Sequence, residues 1–545
     1  MNNTLWTSIV LGLLLLVSVR VNADVRLLEE SGEKLVLRME VPNAELQRVK
    51  LKGRNYVTYS LNGFKKTAEP GSPEVPFTKV QLLVPTGMAP VLEVKNRTES
   101  QAEYLPWDIA FLSRLPVHDG RGRTVGKNLT AYRKVYGDVA VEIEDVSYAG
   151  NEKIATLVFW PVRYDARRRM VQRVQLLDVE VSFKPMETQE LPPVAGLPLG
   201  IAKYFVLNHS QFQKEITVNN KVDLVIAHAS HQAALKRYID FKKSRGRTVR
   251  DYYVGGVTAI TASEVKQIIA AEYRKAEPPN NTLFIGNVDQ IPAFYESNQG
   301  SVSDFKYQLL DAGEVPDLSL GRVPAHNALE LNSFIDKAIQ REEGMHKVGE
   351  VLLAAGRDTS MGCPANVTLV GQKLKAAGAD VNVTQKYMTQ VSSQAVFDAY
   401  NQNPNIAVYD GHGDHTGMLE IPLKISNLNV LTNKVHPIIL DIACLNANWS
   451  SSGASRRNFA EMILLQPNAG SSGIMASGGS GWGHEFFVTI GATMAKSRQN
   501  LQNDSIMNEI GRIIMVAKVA HGQQDRSFWN YYGDPASSVW ESTME

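Results

Sequence analysis

Cysteine is nearly absent: Cys363 and Cys444 are the only two in 545 residues. So few exclude a disulfide scaffold and leave either one bridge or two thiols. Net charge is nearly absent too, with 57 basic against 56 acidic side chains and a balance of +1. That removes the basic footprint expected of a nucleic-acid binder or of a protein held on an anionic membrane. The basic triplet Arg167-Arg168-Arg169 reads as a solvated turn. No run reaches the roughly 20 apolar residues that a membrane span needs. The apolar run Ser8–Val19 (SIVLGLLLLVSV) stops at 12. Val21-Asn22-Ala23 follows, so residues 1–23 read as a secretory signal cut after Ala23. The leading MNNTLWT lacks the usual Lys or Arg, and the alternative is an uncleaved anchor. A thiol retained in an exported chain points to reactivity.

What is present is the composition of a globular protein, 44% hydrophobic and 21% charged, long enough for two to four domains. From residue 24 to about 215 the chain reads as strands. LVLRMEV, YVTYSL, KVQLLVP, TLVFWPV and VQLLDVEVSF recur between turn signals, and Leu177-Asp178-Val179-Glu180-Val181 alternates as a half-buried strand does. No long amphipathic helix interrupts them. An all-β sandwich or jelly roll is the economical reading. The segment 190–200 is rich in Pro and Gly and 209–220 is polar, which sets a boundary near 215–221.

Beyond that boundary strands and helices alternate. Val222–Ala227, Thr248–Val254 and Leu283–Gly286 read as buried strands. Leu235, Tyr238, Ile239 and Lys242 share one helical face, with Gly246 at its carboxyl end, and Thr261 and Glu264 have capping-box spacing. This βαβαβ unit predicts a parallel sheet with helices on both faces. A second round starts at Val351–Ala355, and Ser471–Ser477 is a further strand. The expectation is a domain over 216–545 with sub-domains of about 220–345 and 346–545.

Two apolar runs in the second round end in chemistry. Ile406–Asp410 runs into Gly411-His412-Gly413, and Ile438–Ile442 runs into Ala443-Cys444. If both are parallel strands, the imidazole and the thiol emerge together at the carboxyl edge of the sheet, where ligands bind in such folds. An imidazole can deprotonate a thiol, and a thiolate attacks a carbonyl. The resulting oxyanion needs donors, and the N–H groups of Gly413 and Cys444 are candidates. Singly, each motif is better read as structural; together they favour catalysis. A metal reading of His412, Asp414, His415 and His436 lacks a fixed third ligand and the glutamate of a zincin.

The His-Gly block followed by the Ala-Cys block resembles the caspase-like cysteine peptidases, and within them the gingipains. The likeness extends to VDLVIAHASHQAALKRYIDFKKSRG, LFIGNVDQIP, LSLGRVP, Tyr409–Gly413, Asp441–Asn446 and the late Gly533-Asp534-Pro535, and upstream to PGSPEVPFTKVQLLVP. It implies an α/β, caspase-like parallel-sheet peptidase domain preceded by an all-β sandwich or jelly-roll pro-domain. It implies a secreted bacterial cysteine endopeptidase made as a zymogen. Its partners would be protein or peptide substrates and its own pro-domain, over 24–215, as inhibitor. Activation would cut near 208–221, with Lys214 and Lys221 as candidate points. Neither nucleic acid nor, after signal removal, a membrane is expected as a partner.

By the same resemblance Cys444 is the nucleophile, His412 the base and then the acid, Asp358 the carboxylate that orients the histidine, and Trp482 a wall of the specificity pocket. No cofactor is required; structural calcium is a family feature, although no EF-hand-like loop is present. One departure concerns specificity. Thr359–Ala379 contains no Asp or Glu where arginine-cutting relatives carry a pocket aspartate, and Cys363 stands near that position. Cys363 is read as a buried pocket wall lying in the loop after the 351–355 strand, with a reversible Cys363–Cys444 disulfide as the alternative. Two other functions compete: a transpeptidase or processing enzyme of the same fold acting on exported proteins, and a catalytically dead binding protein.

Overall fold

The structure is a computed structural model. It describes residues 25–540 apart from 68, 112, 116–122, 150–151, 187–200, 209–220, 297–300, 311–314, 345–349, 357–361, 379–380, 388–392, 422, 450–456, 480–482, 502–504 and 522–526. The N-terminal region is built from antiparallel strands. Its larger sheet is organised on the 16-residue strand Met170–Pro185, which pairs with Lys34–Glu40, Met88–Glu99, Glu103–Tyr104 and Val162–Asp165. A second sheet runs Val141–Ala149, Glu152–Phe159, Pro76–Val84, Lys65–Lys66. Alternation explains the layering: Leu35, Leu37 and Met39 point inward and meet Val80, Leu82, Ala155 and Leu157 in one core. The hairpin Glu45–Leu51 with Arg54–Ser60 turns on Lys52 and Gly53, both at positive φ, as a tight hairpin requires.

The rest of the chain forms one ten-stranded sheet. In chain order its strands are β1 (Val222–His228), β2 (Thr248–Val254), β3 (Asn281–Ile285), β4 (Ser319–Val323), β5 (Glu350–Ala355), β6 (Asn382–Tyr387), β7 (Ile406–Asp410), β8 (Ile438–Ile442), β9 (Gly473–Ser477) and β10 (Trp529–Gly533). The spatial order is β2-β1-β3-β4-β10-β9-β8-β7-β5-β6. Several of these strands are buried along their whole length, which is why they read as unbroken apolar runs. Helices α1 (Gln232–Ser244), α3 (Ala328–Glu342), α5 (Ser393–Asn401) and α6 (Phe459–Leu465) pack on one face. Helices α2 (Ala262–Tyr273), α4 (Cys363–Lys375), α7 (His484–Gln499) and α8 (Ile510–Ala520) cover the other. Thr261 and Glu264 form the expected capping box at the start of α2.

The sheet is not wholly parallel: β10 runs antiparallel to β9. Asp534, just past the carboxyl end of β10, accepts a hydrogen bond from Lys242 at 2.8 Å. Lys242 sits at the end of α1, beside the amino end of β1, where Arg247 pairs with Asp223. β9 and β1 therefore start at the same edge, and both halves of the sheet turn their carboxyl ends to the opposite one.

The amino edge is closed by buried charge. Lys242 also donates to Glu342 at 2.5 Å, Arg247 pairs with Glu509 at 2.6 Å, and Asn281 donates to Glu509 at 2.8 Å. Burial opposes the charge on Lys242, and attraction from Asp534 and Glu342 overcomes it.

The N-terminal sheets pack against the α/β region. Leu83, Ile154, Ile201, Tyr204 and Val206 form a shared cluster with Met515, Val516 and Val519 of α8. Asn208 binds both the N–H and the C=O of Leu83, at 2.8 and 2.9 Å. Lys496 of α7 donates to the Tyr204 carbonyl at 3.0 Å. Lys65 forms an ion pair with Glu485 at the start of α7.

Replacing Lys242 by methionine strands two carboxylates in the interior. It should cost about 3–5 kcal/mol in urea unfolding; a loss below about 1 kcal/mol would contradict this account of the amino edge.

Candidate functional site

β7 and β8 are adjacent and parallel, with Tyr409 opposite Asp441 and Asp410 opposite Ile442. The turns that follow therefore leave the sheet side by side. Gly411 N–H still reaches the Ile442 carbonyl at 3.3 Å. Beyond it the histidine turn folds into a short hairpin, Gly413–Asp414 against Gly417–Met418. The peptide groups of His412 are held on both sides. Its N–H donates to Glu420 Oε2 at 3.0 Å, and its carbonyl accepts from the Tyr409 hydroxyl at 3.0 Å and from Leu419 N–H at 2.9 Å.

The thiol turn is fixed to the end of β9. Leu445 N–H donates to the Gly479 carbonyl at 3.1 Å, Ala447 N–H to Ser477 at 2.9 Å, and the Asn448 amide to Gly478 at 2.6 Å. Leu445 itself has φ +64. A side chain larger than glycine in that region costs roughly 1–2 kcal/mol, which these bonds offset. The strained residue directly follows Cys444.

The two turns touch. A Cβ built on Gly413 would lie 2.6 Å from Asn446 Oδ1, 2.7 Å from the Ala443 Cβ and 2.8 Å from the Cys444 carbonyl oxygen. Only a glycine lets the histidine turn rest this closely on the thiol turn. His412 and Cys444 are each partly exposed amid buried neighbours. The arrangement can deliver an imidazole, a thiol and backbone donors to one crevice.

Two buried carboxyls underlie the turns. Asp441 accepts from the Asn446 amide at 2.6 Å. Burial pushes its carboxyl up to about 8; the Asn446 bond opposes the rise and the charge of Asp410 adds to it. Asp410, fully buried on the other face, lies 2.9 Å from His484 Nδ1, so the root of the histidine turn sits beside the first residue of α7.

His412, Gly413 and Cys444 thus come together. Cys363 departs from its expected place. It is the first residue of α4 rather than part of a loop, because Gly362 at φ +73 and Pro364 start the helix there. Its side chain is fully buried against Val351, Leu353 and Val367. Both cysteines are thiols, so the Cys363–Cys444 disulfide is absent. Asp358 and Trp482 lie outside the described residues. Of the residues weighed as metal ligands, His436 is buried just before the amino end of β8, at the far edge of the sheet. Among the described residues no group of three or more His, Cys, Asp or Glu could hold a metal ion.

Sequence reasoning passed over Glu420, Asn446, Asp441 and His484. The one available signal for Glu420 was a lone carboxylate in the otherwise apolar stretch Met418–Leu423.

Residues 217–540 match the family model described as peptidase family C25. The chain belongs to that family. Its sequence and fold are gingipain-like, as its motifs suggested. Lys-gingipain W83 from Porphyromonas gingivalis is 26% identical over 485 residues, covering 82% of this chain and 27% of that protein. Gingipain R2 from the same organism is 24% identical over 377 residues, covering 65% of this chain and 47% of its own length. The chain thus spans only about a quarter of the first of these relatives. The crystal structure of the Arg-specific cysteine proteinase gingipain R superposes with a TM-score of 0.52 at 20% identity, over 59% of this chain and 78% of that one. A complex of Porphyromonas gingivalis RgpB pro- and mature domains gives 0.50 at 21%, over 58% and 80%.

The Asp441 carboxyl yields a signed prediction. An unfolded aspartate titrates near 4, whereas this one holds its proton to about 8. Between those values the folded chain binds more protons than the unfolded chain. Stability from this group is therefore intact below about pH 4 and declines as pH rises, by up to about 1.4 kcal/mol per unit. Asp441→Asn removes that slope, so its stability relative to the parent should increase from pH 5 to pH 8 in urea unfolding. An unchanged difference at the two pH values would refute the assignment.

Proposed function

We propose that this chain is an exported cysteine endopeptidase made as a zymogen, with Cys444 as nucleophile and His412 as its base. The observation that carries the reading is the contact of Gly413 with the Cys444 turn, which sets the two motifs at one crevice. His412 takes the thiol proton, and the thiolate attacks the scissile carbonyl. The N–H groups of Gly413 and Cys444 receive the oxyanion, and removing such a donor typically costs 10²–10³ in kcat. The imidazolium then protonates the leaving amine. Water, activated by the same imidazole, releases the acyl group and restores the thiol. Asp358 and Trp482 keep the roles the family resemblance implies, as orienting carboxylate and pocket wall. Export rests on the signal read in residues 1–23.

The N-terminal β region is proposed as the inhibitory pro-domain. Its Lys65 pairs with Glu485, which stands three residues after Trp482 in the sequence. A lysine held there by a carboxylate is how a substrate with a basic side chain would be held. The name Lys-gingipain of one relative agrees with a basic preference. The pocket carboxylate missing from Thr359–Ala379 would then be supplied by Glu485.

Cys444→Ala should abolish cleavage of protein substrates while leaving circular dichroism and the unfolding midpoint unchanged. A peptidyl electrophile should label Cys444 in the processed parent; absence of labelling would favour a non-enzymatic binding protein. In a peptide-library profile Glu485→Gln should reduce kcat/KM for basic residues about threefold, on the order of what one half-exposed ion pair provides. An unchanged profile would remove Glu485 from the pocket.

A further inference from the structure

We propose that Glu420 is a positioning residue for the His412 imidazole, acting through the His412 backbone; the inference rests on the Cys444–His412 reading. Glu420 follows the short hairpin and returns its side chain beneath the histidine turn, where Oε2 accepts the His412 N–H at 3.0 Å. Its own N–H reaches the Tyr409 hydroxyl, which in turn donates to the His412 carbonyl. Glu420 and Tyr409 thus clamp both peptide groups that orient the imidazole.

The surroundings are shaped for the carboxylate. A Cβ on Gly356 would overlap Glu420 Oε2 outright, and one on Gly411 would lie 2.4 Å from the Tyr409 hydroxyl and 2.7 Å from Glu420 Oε2. Neither glycine has positive φ, so backbone conformation does not demand glycine at either place. Room for the Glu420 carboxylate does at Gly356, and room for the Tyr409 hydroxyl together with that carboxylate does at Gly411. Gly356 is itself fixed, with its N–H on the Asp410 carbonyl at 2.7 Å, so the cradle cannot drift from β7. Three segments distant in sequence, the ends of β5 and β7 and the return of the hairpin, meet at this one side chain.

The test uses the full chain after processing. Glu420→Ala should lower kcat about tenfold or more with KM within about threefold, because an imidazole displaced by an ångström loses reaction geometry rather than substrate affinity. Alkylation of Cys444 by iodoacetamide at pH 6 should slow in parallel, since the thiolate there depends on where the imidazole stands. Glu420→Gln keeps an acceptor oxygen and should stay within about threefold of the parent. Gly356→Ala drives a methyl into the carboxylate and should reproduce the loss. The double variant Gly356→Ala/Glu420→Ala should lose no more than either single one, because both remove the same contact. A parent-like kcat in Glu420→Ala, or additive losses in the double variant, would overturn the proposal. Should Glu420→Ala fail to fold, the Gln and Gly356 variants decide between the same outcomes. Activity surviving in Cys444→Ala, or a processed parent unlabelled at Cys444, would instead sink the underlying reading.

Discussion

The register between β7 and β8 is the constraint on which the rest depends. Tyr409 faces Asp441 and Asp410 faces Ile442, so two turns leave the sheet at the same height. A slip of one residue would exchange the faces of every side chain on one strand. Asp441 would leave Asn446, Asp410 would leave His484, and Gly413 would no longer meet Cys444. The register is specified on both sides, because Tyr409 and Ile439 pack with α5 and α6 while Val408 and Leu440 pack with α4, α7 and α8. Burial of both faces makes that one pairing much lower in energy than its alternatives.

The sheet spends its two edges differently. At the amino edge two cations, Lys242 and Arg247, are shared among four carboxylates, Asp223, Glu342, Glu509 and Asp534, with the Asn281 amide donating to Glu509. At the carboxyl edge the histidine and thiol turns lie side by side, with His412 and Cys444 partly exposed. The strain at Leu445 sits on this second edge. A lysine buried at one end and a strained leucine at the other are two halves of one arrangement, in which a well-anchored base supports an exposed, less relaxed rim.

Much of this was legible in the chain. Parallel strands covered on both faces must be apolar throughout, so Ile406–Asp410 and Ile438–Ile442 announce themselves, and glycine, histidine and cysteine at their ends stand out against that background. The direction of β10 was not legible, because Trp529–Gly533 carries no mark of which neighbour it meets. Cys363 was misplaced in a loop although Pro364 signals a first helical turn; the left-handed Gly362 ahead of it reads equally well as a bend. Glu420 binds His412 eight residues back and Asn446 binds Asp441 five back, each across a turn whose path no local pattern records. The glycines at 356 and 411 held the information, but as space reserved for another side chain, which a single sequence does not display.

The strap Ile201–Asn208 lies between the two regions, with Tyr204 and Val206 against α8 and Asn208 bonded to Leu83 on a strand of the N-terminal region. A break in the chain after Asn208 would cut a covalent tether without removing any of those contacts. From then on the two pieces would obey mass action: together when concentrated, apart when diluted. The link between them would have changed from a bond with a fixed stoichiometry to an affinity with a lifetime. The volume around the cut chain would then decide whether the pieces stay together, and the apolar contact with α8 would set how long each encounter lasts.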